Sequence, residues 1–452
     1  MFCKGCGKEL APDKRFCTSC GRPVSPLSSK EEPGLTAAPP PEAPPSASPL
    51  AGPRKRMPKW GLPAVIGLVV LIVVVVVLAV VLSGESNRDK AAKFEKKARA
   101  YIDSRRYEQA VAECNKAIKL DTKYPDACVT RARAYNGLHE YDKAVLDSDR
   151  AIKLDPNNAD AYVQRAWAYN NQYEYKKALA DGVKGVKLNS GSSDAYVVRS
   201  RAYCGLDQND KALVDSNKAV ELDPRNAEAY LARSEVYFQM YKASRDKDDL
   251  RKSQADTNKA IELDPKNAMA YIDRSEADGY LGQWDKVIAD TTKAISLDQN
   301  SGTGYNNRAW AYDNLGQYDK ALVDSNKAIE LDPTDAAAYV NRGDAYIGLE
   351  QYDKGVADTT KAIELNSKLS PAFYKRGYAY CCLQIYDKAM ADVNKAIELD
   401  PKDDVALVDR GYIYEALGQN ENAIVDYKHG LDLNPDNTYA RQSLRRLAVP
   451  GY

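Results

Sequence analysis

Histidine is nearly missing from this chain of 452 residues, in which His139 and His429 are the only two. Most histidine-based catalysis and most histidine-rich metal sites are thereby excluded. The sequence also lacks a P-loop, a GxGxxG fingerprint, an HExxH pair and a nucleophile elbow, the patterns that bind phosphates or carry hydrolytic chemistry. We therefore expect no catalytic residues, no enzyme activity and no small-molecule substrate.

Neither sign of charge is in excess, since 64 Lys and Arg residues balance 64 Asp and Glu residues. Residues 1–60 contain 10 basic and 5 acidic side chains, and residues 61–452 contain 54 and 59. Nucleic-acid binders usually carry a strongly basic surface, because their affinity depends on neutralised phosphates. The charge balance gives no reason to expect a nucleic-acid partner.

Cysteine is also scarce, and four of the nine cysteines stand in two CxxC pairs within residues 1–24. Two such pairs, each followed by glycine, can present four thiolates tetrahedrally to Zn²⁺. So short a segment cannot build a hydrophobic core, and the metal would supply most of its folding energy. We predict a structural zinc site, because four thiolates leave no open position for catalysis. The expected ligands are Cys3, Cys6, Cys17 and Cys20.

This segment, FCKGCGKELAPDKRFCTSCGRPV, resembles the short zinc ribbons at the N-terminus of many prokaryotic membrane proteins. An iron–sulfur cluster is a minor alternative without supporting context. A second alternative is nucleic-acid contact through five basic residues, although so few on a small module are ordinary solvation, and we favour a protein-contact module. The five are Lys4, Lys8, Lys14, Arg15 and Arg22.

The two segments that follow differ sharply in composition. Residues 25–60 are rich in proline, which predicts a disordered, semi-extended linker. Residues 61–83 are apolar and uncharged, and as a helix of ~1.5 Å per residue they are long enough to span a hydrocarbon core of ~30 Å. The apolar run is too long and begins too late for a cleaved signal peptide. We predict a single-pass membrane anchor.

Charge and cysteine chemistry predict the orientation of this anchor. Four basic residues lie close before it, whereas those after it lie further away, and nearby positive charge favours the cytosolic side. A four-thiolate zinc site also prefers a reducing cytosol, although the five remaining cysteines argue mildly against an external location for the rest of the chain. We predict a cell-membrane protein with the ribbon in the cytosol and the region after the anchor outside.

From about residue 90 onward the sequence repeats itself. A Leu-Asp or Leu-Asn pair recurs every 34 residues, with one interval of 41, so that ten units fill residues 90–436. The leucines are Leu120, Leu154, Leu188, Leu222, Leu263, Leu297, Leu331, Leu365, Leu399 and Leu433. A period of 34 built on two amphipathic helices is typical of a helical repeat array.

Three copies of Lys-Ala-Ile-Glu-Leu-Asp-Pro, at 259–265, 327–333 and 395–401, and the Leu-Gly-Gln-Tyr-Asp-Lys-Ala stretch at 315–321 closely resemble the tetratricopeptide repeat (TPR) family. The resemblance implies an all-α fold, a right-handed TPR solenoid of about ten helix hairpins with a concave ligand groove. Residues 437–452 are expected to form a capping helix and tail. The Lys/Asn clamp by which TPR co-chaperones hold a C-terminal carboxylate is not evident here.

Polar residues stand where the first helix of most units needs an N-cap, which satisfies backbone N–H groups that have no partner within the helix. These positions are Asn158, Ser192, Asn226, Asn267, Ser301, Asp335, Asp403 and Asn437. The longer fifth unit carries seven extra residues near 242–250. We expect this insertion to lengthen the turn between its helices, as a tolerated surface loop.

Nine units share an arginine in the first helix and an aspartate in the second, and we predict that these form a ladder of ion pairs joining the two helices. Lys97 and Glu113 take these places in the first unit. The arginines are Arg131, Arg165, Arg199, Arg233, Arg274, Arg308, Arg342, Arg376 and Arg410. The aspartates are Asp147, Asp181, Asp215, Asp256, Asp290, Asp324, Asp358, Asp392 and Asp426.

The resemblance also places the groove on first-helix residues that face away from the second helix, two positions after each ladder arginine. These candidates are Arg133, Trp167, Arg201, Glu235, Glu276, Trp310, Asp344, Tyr378 and Tyr412. Four aromatic residues among nine would suit a peptide ligand. The alternative is that they pack between neighbouring units.

We thus expect a membrane-anchored TPR scaffold that binds a protein or peptide of unknown identity through its concave groove. An accessory subunit that positions a substrate for an enzyme is the alternative. Titratable residues converging in the groove would favour that alternative, and an aromatic lining would favour binding.

Overall fold

The computed structural model describes residues 86–451. The predicted zinc ribbon at 1–24, linker at 25–60 and membrane anchor at 61–83 lie outside the described residues. Within 86–451 no helix is long and apolar enough to cross a membrane. The same range holds no group of three or more His, Cys, Asp or Glu side chains arranged to bind a metal ion.

Residues 86–451 form 21 α-helices and no strand. Odd-numbered helices from α1 to α19 are the first helices of ten hairpin units, even-numbered helices are their second helices, and α21 follows as a cap. The helices are α1 Asn87–Asp103, α2 Tyr107–Leu120, α3 Pro125–Gly137, α4 Tyr141–Leu154, α5 Ala159–Asn171, α6 Tyr175–Leu188, α7 Ser193–Cys204, α8 Asn209–Leu222, α9 Ala227–Ser244, α10 Lys247–Leu263, α11 Ala268–Tyr280, α12 Trp284–Leu297, α13 Gly302–Asn314, α14 Tyr318–Leu331, α15 Ala336–Gly348, α16 Tyr352–Leu365, α17 Ser370–Cys382, α18 Tyr386–Leu399, α19 Asp404–Ala416, α20 Asn420–Leu433 and α21 Thr438–Arg446.

The predicted N-caps are confirmed. All eight residues precede a helix in an extended conformation, and each side chain accepts a hydrogen bond from a backbone N–H of the first turn. Substituting such a cap with alanine typically costs about 1 kcal/mol. The start of most first helices is therefore fixed locally by one polar side chain.

Small residues allow the helices of each hairpin to pack closely. Ala132 and Ala144 are fully buried in one cluster, which also includes Ala168 of the next unit. Similar clusters recur along the chain, each shared by successive units. The core is thus a series of interfaces between neighbours, so stability depends on each unit and its contacts with the next.

The Arg–Asp ladder is confirmed in all nine units. Each arginine donates two parallel hydrogen bonds to its aspartate, from Nε to Oδ2 at 2.6–2.8 Å and from Nη2 to Oδ1 at 2.6–2.9 Å. Lys97 and Glu113 are 3.1 Å apart in the first unit. Bidentate pairing is the strongest geometry for these groups and fixes the two helices relative to each other.

The ladder also joins consecutive units, a feature that the sequence columns did not reveal. In eight of the nine units, Nη1 of the arginine bonds to a polar side chain on the second helix of the preceding unit. These partners are Asn115, Asp149, Asn217, Asn258, Thr292, Asn326, Thr360 and Asn394. Arg199 lacks this third bond because Val183 occupies the equivalent position.

The expectation of a longer surface loop in the fifth unit is wrong. Both helices are extended instead, α9 to 18 residues and α10 to 17, compared with 13 and 14 in the next unit. The first helix is thus five residues longer (18 against 13) and the second three residues longer (17 against 14), about two helical turns of ~3.6 residues in all. The turn itself contains only Arg245, in the left-handed conformation, and Asp246, which caps α10.

The extended hairpin reaches units that are far away in sequence. Arg245 pairs with Asp400 at 2.5 Å, and the Lys402 ammonium donates to the Ala243 carbonyl at 2.9 Å. Arg105, in the turn of the first unit, pairs with Asp264 at the end of α10. Successive windings of the array therefore touch along their edges, and we call these contacts the clasp. The insertion is a bridge between windings rather than a free loop.

Candidate functional site

Three of the nine predicted groove residues, Arg201, Glu235 and Glu276, line one cavity of about 330 Å³. They come from three successive first helices, α7, α9 and α11. Helix α5 contributes Asn170 at another side of the cavity. The solenoid thus places residues from four units around one space, because equivalent positions of neighbouring first helices lie side by side on its inner face.

The cavity lining contains three carboxylates, and they differ in their hydrogen-bond and ion-pair partners. Arg201 bonds to Glu228 at 2.9 Å and lies 3.8 Å from Glu235. The Glu276 carboxylate is hydrogen-bonded to Asn307. The Asp273 carboxylate accepts no hydrogen bond and forms no ion pair within residues 86–451. One acidic group of the cavity is therefore left without a hydrogen-bond donor, and the Arg201 guanidinium acts on it only through its charge.

Desolvation raises the pKa of these carboxylates. The pKa of Asp273 lies well above the usual range, because the surrounding walls disfavour its charge and because Glu276 and Glu235 repel it. The pKa values of Glu235 and Glu276 are also raised, mainly by the same desolvation. Water still reaches Glu235, whose side chain is 44% exposed, so the site is a concave, wet recess rather than a sealed void.

A second titratable cluster lies further along the inner face, around the predicted groove residue Asp344. Asp344 pairs with Lys375 and is hydrogen-bonded to Asp313. Burial and the repulsion from Asp344 raise the pKa of Asp313 to about 8. Burial also raises the pKa of Asp409 to about 7, although Lys375 opposes the shift. Titratable residues therefore converge in two places on this surface, as expected for an accessory subunit that positions a substrate, whereas the aromatic groove candidates Trp310, Tyr378 and Tyr412 favour binding.

Sequence reasoning missed Asp273, Lys375 and Asp409, which share one position immediately before the ladder arginine. The signal was available as a change of polarity along this column. It reads Thr130, Gln164, Val198, Ala232, Asp273, Asn307, Asn341, Lys375 and Asp409, so that every member from the sixth unit onward is polar. A polar residue that recurs beside a structural column is a signal that the column has a second role.

The four aromatic groove candidates all pack against neighbouring units and all remain partly exposed. The Arg201 guanidinium lies 4.6 Å from the Trp167 ring centroid. Trp310 contacts Tyr280 and Trp284, with ring centroids 5.4 and 5.0 Å away. Packing between units is therefore one role of these rings, and their exposed surfaces leave ligand contact open.

The remaining aromatic candidates form a continuous row of rings. The centroids of Tyr378 and Tyr412 are 5.8 Å apart, and Tyr439 of α21 lies 6.3 Å from Tyr412. Arg133, the first candidate, belongs to α3, near the N-terminal end of the array, and lies 3.8 Å from Asp194 of α7. The structure thus places six of the nine candidates in an acidic cavity, an Asp–Lys cluster and an aromatic row, and it leaves Arg133, Trp167 and Trp310 outside these groups.

Trp310 also explains one glycine in the preceding unit. A Cβ atom at Gly279 would lie 2.2 Å from the Trp310 ring, so any larger residue would force the indole away. The close approach seals the interface between α11 and α13. Trp310 is accordingly the most firmly held of the four aromatic candidates.

The five cysteines of this region behave as packing residues. Cys114, Cys128, Cys204 and Cys381 are buried, and all five are free thiols. Burial raises the pKa of Cys114 to about 12 and that of Cys381 to about 11. A thiol rather than a thiolate is therefore present at neutral pH, which disfavours nucleophilic or redox reactivity at these positions.

The hairpin geometry and the inner groove define a helical-repeat solenoid. Three family models, each described as tetratricopeptide repeat, match residues 95–124, 125–158, 149–180, 303–335, 326–357, 370–403 and 405–437. The described part of the chain is therefore an all-α TPR solenoid. Comparison with curated proteins gives no match.

One solved structure supports the fold assignment. The structure titled as the APC/C hetero-tetramer Cut9–Hcn1 is 16% identical, with a TM-score of 0.51, and the match covers 81% of this chain and 91% of that one. Yeast Tom70 is 16% identical over 80% and 97% of the two chains, with a TM-score of 0.38. YrrB, titled as a TPR protein with an unusual peptide-binding site, is 23% identical over 42% and 97%, with a TM-score of 0.29. At these identities the likeness concerns the fold alone.

Proposed function

We propose that this protein is a membrane-anchored TPR scaffold that binds a protein or peptide along its concave inner face. The observation that carries the proposal is the convergence of groove residues from several units on one recess, together with a row of partly exposed tyrosines further along the array. Recesses of this kind, apolar in part and with a few directed polar groups, are typical binding sites. The other side of the units, by contrast, is occupied by structural pairs.

Selection of peptides on the full-length protein in lipid nanodiscs tests this proposal. A random peptide library would be displayed on phage, and the affinity of the enriched peptides would then be measured for two double variants. Tyr378→Leu/Tyr412→Leu removes two rings from the groove and keeps most of their volume. Val214→Ala/Val323→Ala alters two side chains that are each 68% exposed on second helices.

We expect the groove variant to weaken binding at least about tenfold, since buried aromatic anchors contribute on the order of 2 kcal/mol each. The outer variant should bind like the unaltered protein. Equal affinity for both variants would show that the row of tyrosines is not the binding surface. Circular dichroism melts of both variants would verify that the solenoid is still folded.

The anchor at residues 61–83 is the second part of the proposal, with the ribbon in the cytosol and the TPR array outside. It is supported by an uncharged apolar run of sufficient length and by basic residues close before it. An impermeant protease added to intact cells should remove a C-terminal tag and spare an N-terminal one. Protection of the C-terminal tag until the membrane is opened would reverse the orientation.

Structural Zn²⁺ bound by Cys3, Cys6, Cys17 and Cys20 is the third part. The support is the chemistry of the donor set, two CxxC pairs whose thiolates suit a closed tetrahedral site. Metal analysis of the purified full-length protein should give one zinc per chain, and Cys17→Ser/Cys20→Ser should abolish it. Iron with visible absorbance in place of zinc would instead favour the iron–sulfur alternative.

A further inference from the structure

The lining of the cavity between α5, α7, α9 and α11 contains two buried polar atoms without a hydrogen-bond partner, the acceptor Asn170 Oδ1 and the donor Arg201 Nε. Asn170 lines it and is only 8% exposed. Its Nδ2 donates to the Val198 carbonyl at 2.8 Å, whereas its Oδ1 accepts no hydrogen bond. Buried polar atoms normally have a partner, so an unpaired acceptor at a recess suggests that a ligand supplies the donor.

The charged side chains of the cavity are also unbalanced, with more carboxylates than cations. Glu235, Asp273 and Glu276 face only two cations, Arg201 and Lys242. Arg201 is held mainly by Glu228, outside this set, and Lys242 lies 4.7 Å from the Phe238 ring centroid. The three carboxylates are therefore incompletely neutralised by the described residues, and Asp273 has no partner among them.

From this excess of negative charge and the unpaired Asn170 oxygen, we propose that the cavity binds the guanidinium group of an arginine side chain of a peptide held in the groove. The inference rests on the proposed peptide-binding function and specifies which residue is recognised. A guanidinium presents five N–H donors in a fixed plane, which can satisfy Asp273 and other acceptors at once. Lys242 already lies over the Phe238 ring, whereas Tyr173 of the lining is 79% exposed and offers a face on which such a plane can stack.

Other ligand classes fit the cavity less well. An anion would meet three carboxylates. A divalent cation would need three or more ligands in a suitable arrangement, and residues 86–451 contain no such group. A lysine ammonium shares the positive charge but is a compact point donor, so it can satisfy fewer separated acceptors at a time.

Binding of a cation here has a consequence that a neutral ligand would not produce. The free cavity holds carboxylates whose pKa is raised, so they bind protons at a pH where ordinary carboxylates do not. A positive charge beside them lowers their pKa and releases those protons. Affinity for an arginine peptide should therefore increase as the pH rises through the range in which the free carboxylates ionise.

The charged groups around the cavity carboxylates come from three of the helices that enclose the cavity. Glu228, Glu235 and Lys242 belong to α9, Arg201 to α7, and Asp273 and Glu276 to α11. Arg201 and Lys242 are cations that oppose part of the carboxylate shifts. The expected proton release therefore originates from the three carboxylates.

The test uses four synthetic peptide pools and the full-length protein in nanodiscs. The pools are ten residues long, random elsewhere, and carry arginine, lysine, citrulline or glutamate at one central position. Citrulline matches arginine in shape and lacks its charge. Binding is measured by fluorescence anisotropy, and proton release by calorimetry in two buffers of different ionisation enthalpy.

We expect the arginine pool to bind at least about tenfold more tightly than the citrulline pool, with release of protons and with lysine between the two. Asp273→Asn/Glu276→Gln should abolish the difference. The control Glu262→Gln/Glu330→Gln removes the same charge from two exposed ion pairs on second helices and should leave it intact.

The outcomes separate this inference from the proposed function. Equal binding of the arginine and citrulline pools, with loss of both in Tyr378→Leu/Tyr412→Leu, would retain peptide binding and overturn arginine recognition. An arginine preference that survives in Asp273→Asn/Glu276→Gln would also overturn arginine recognition by this cavity, because other residues would then bind the charged group. Lack of binding by every pool would count against both.

Discussion

The Arg–Asp ladder and the groove carboxylates use the same charged groups in opposite ways. Each ladder aspartate has two bonds to one arginine, and the same geometry recurs in nine units. The groove carboxylates differ from unit to unit, and Asp273 lacks a partner within 86–451. A feature that every unit repeats holds the solenoid together, whereas one that changes along the chain can distinguish ligands.

The two regions also differ in their electrostatic environment. Ladder pairs are largely buried and each charge is matched by its partner, and the hydrogen bonds to Asp324 raise the pKa of Arg308. Carboxylates such as Asp313 face a second carboxylate, and their ionisation opposes folding. Structural charges are thus compensated within the chain, and groove charges are compensated fully only when another group binds.

The largest effect is expected from breaking the ladder. Arg308 and Asp324 are 17% and 6% exposed, so Arg308→Met leaves a carboxylate without its partner in a largely buried place. We expect a loss of about 3 kcal/mol in the free energy of unfolding, measured by urea denaturation. The double variant Arg308→Met/Asp324→Leu should lose less than the single one, because it leaves no unpaired charge. If the single variant were as stable as the unaltered protein, the ladder would not be what holds the solenoid together.

The next effect has the opposite sign, since removing a groove charge should stabilise. In the folded protein the Asp313 pKa is about 8, compared with about 3.9 for an unperturbed aspartate. The folded state therefore binds the proton more tightly, and stability falls as the pH rises from about 4 to 8. Asp313→Asn should raise the melting temperature at pH 8 by several degrees and leave it nearly unchanged at pH 4.

A matched control sharpens this prediction. Glu330→Gln removes a carboxylate that is paired with Lys327 on an exposed helix face. It should not reproduce the pH-dependent gain. Equal changes at pH 4 and pH 8 in Asp313→Asn would mean that packing, and not ionisation, is responsible.

This contrast also explains how much of the molecule the sequence could predict. The repeat period, the helix hairpins, the N-caps and the ladder all follow from residues at fixed spacing, and the structure confirms them. The cavity brings together Asn170, Arg201, Glu235 and Asp273, which occupy three different positions of the repeat. Their proximity depends on how neighbouring first helices lie side by side. It therefore cannot be predicted from any single position of the repeat.

The clasp shows the same limit over a longer distance. Arg245 and Asp400 meet because two windings of the array touch, and this depends on the accumulated rotation of the units between them. The sequence predicted a loop at the insertion, since added length is usually accommodated in turns. Residues 242–250 contain neither glycine nor proline, and helix continuation satisfies their backbone groups directly.

A smaller effect is expected from opening the clasp. Arg245 and Asp400 are 30% and 32% exposed, so screening by solvent limits their contribution. Arg245→Gln should reduce the free energy of unfolding by about 0.5–1 kcal/mol at low salt, and the difference should vanish at high salt. The control Arg225→Gln makes the same chemical change in an exposed turn, where the Arg225 side chain pairs with no residue of 86–451. A salt-independent loss, or an equal loss in both variants, would show that the contact between windings contributes nothing specific.

The smallest effect concerns the one irregular step of the ladder. Val183 is 45% exposed and stands where other units provide a partner for Nη1 of the ladder arginine. Asparagine and valine have similar helix propensity, so Val183→Asn should give Arg199 its missing bond at little other cost. We expect a gain of about 0.5–1 kcal/mol. The reverse change Asn326→Val should produce a comparable loss, since Asn326 accepts from Arg342 at 2.9 Å.

Both changes can be attributed to the bond itself by repeating them without the arginine. In an Arg199→Met background Val183→Asn should confer no gain, and in an Arg342→Met background Asn326→Val should cause no loss. A gain that persists without Arg199 would come from helix propensity or solvation. The third bond would then be a by-product of the repeat geometry, and the ladder would join the helices within units more strongly than it joins the units to each other.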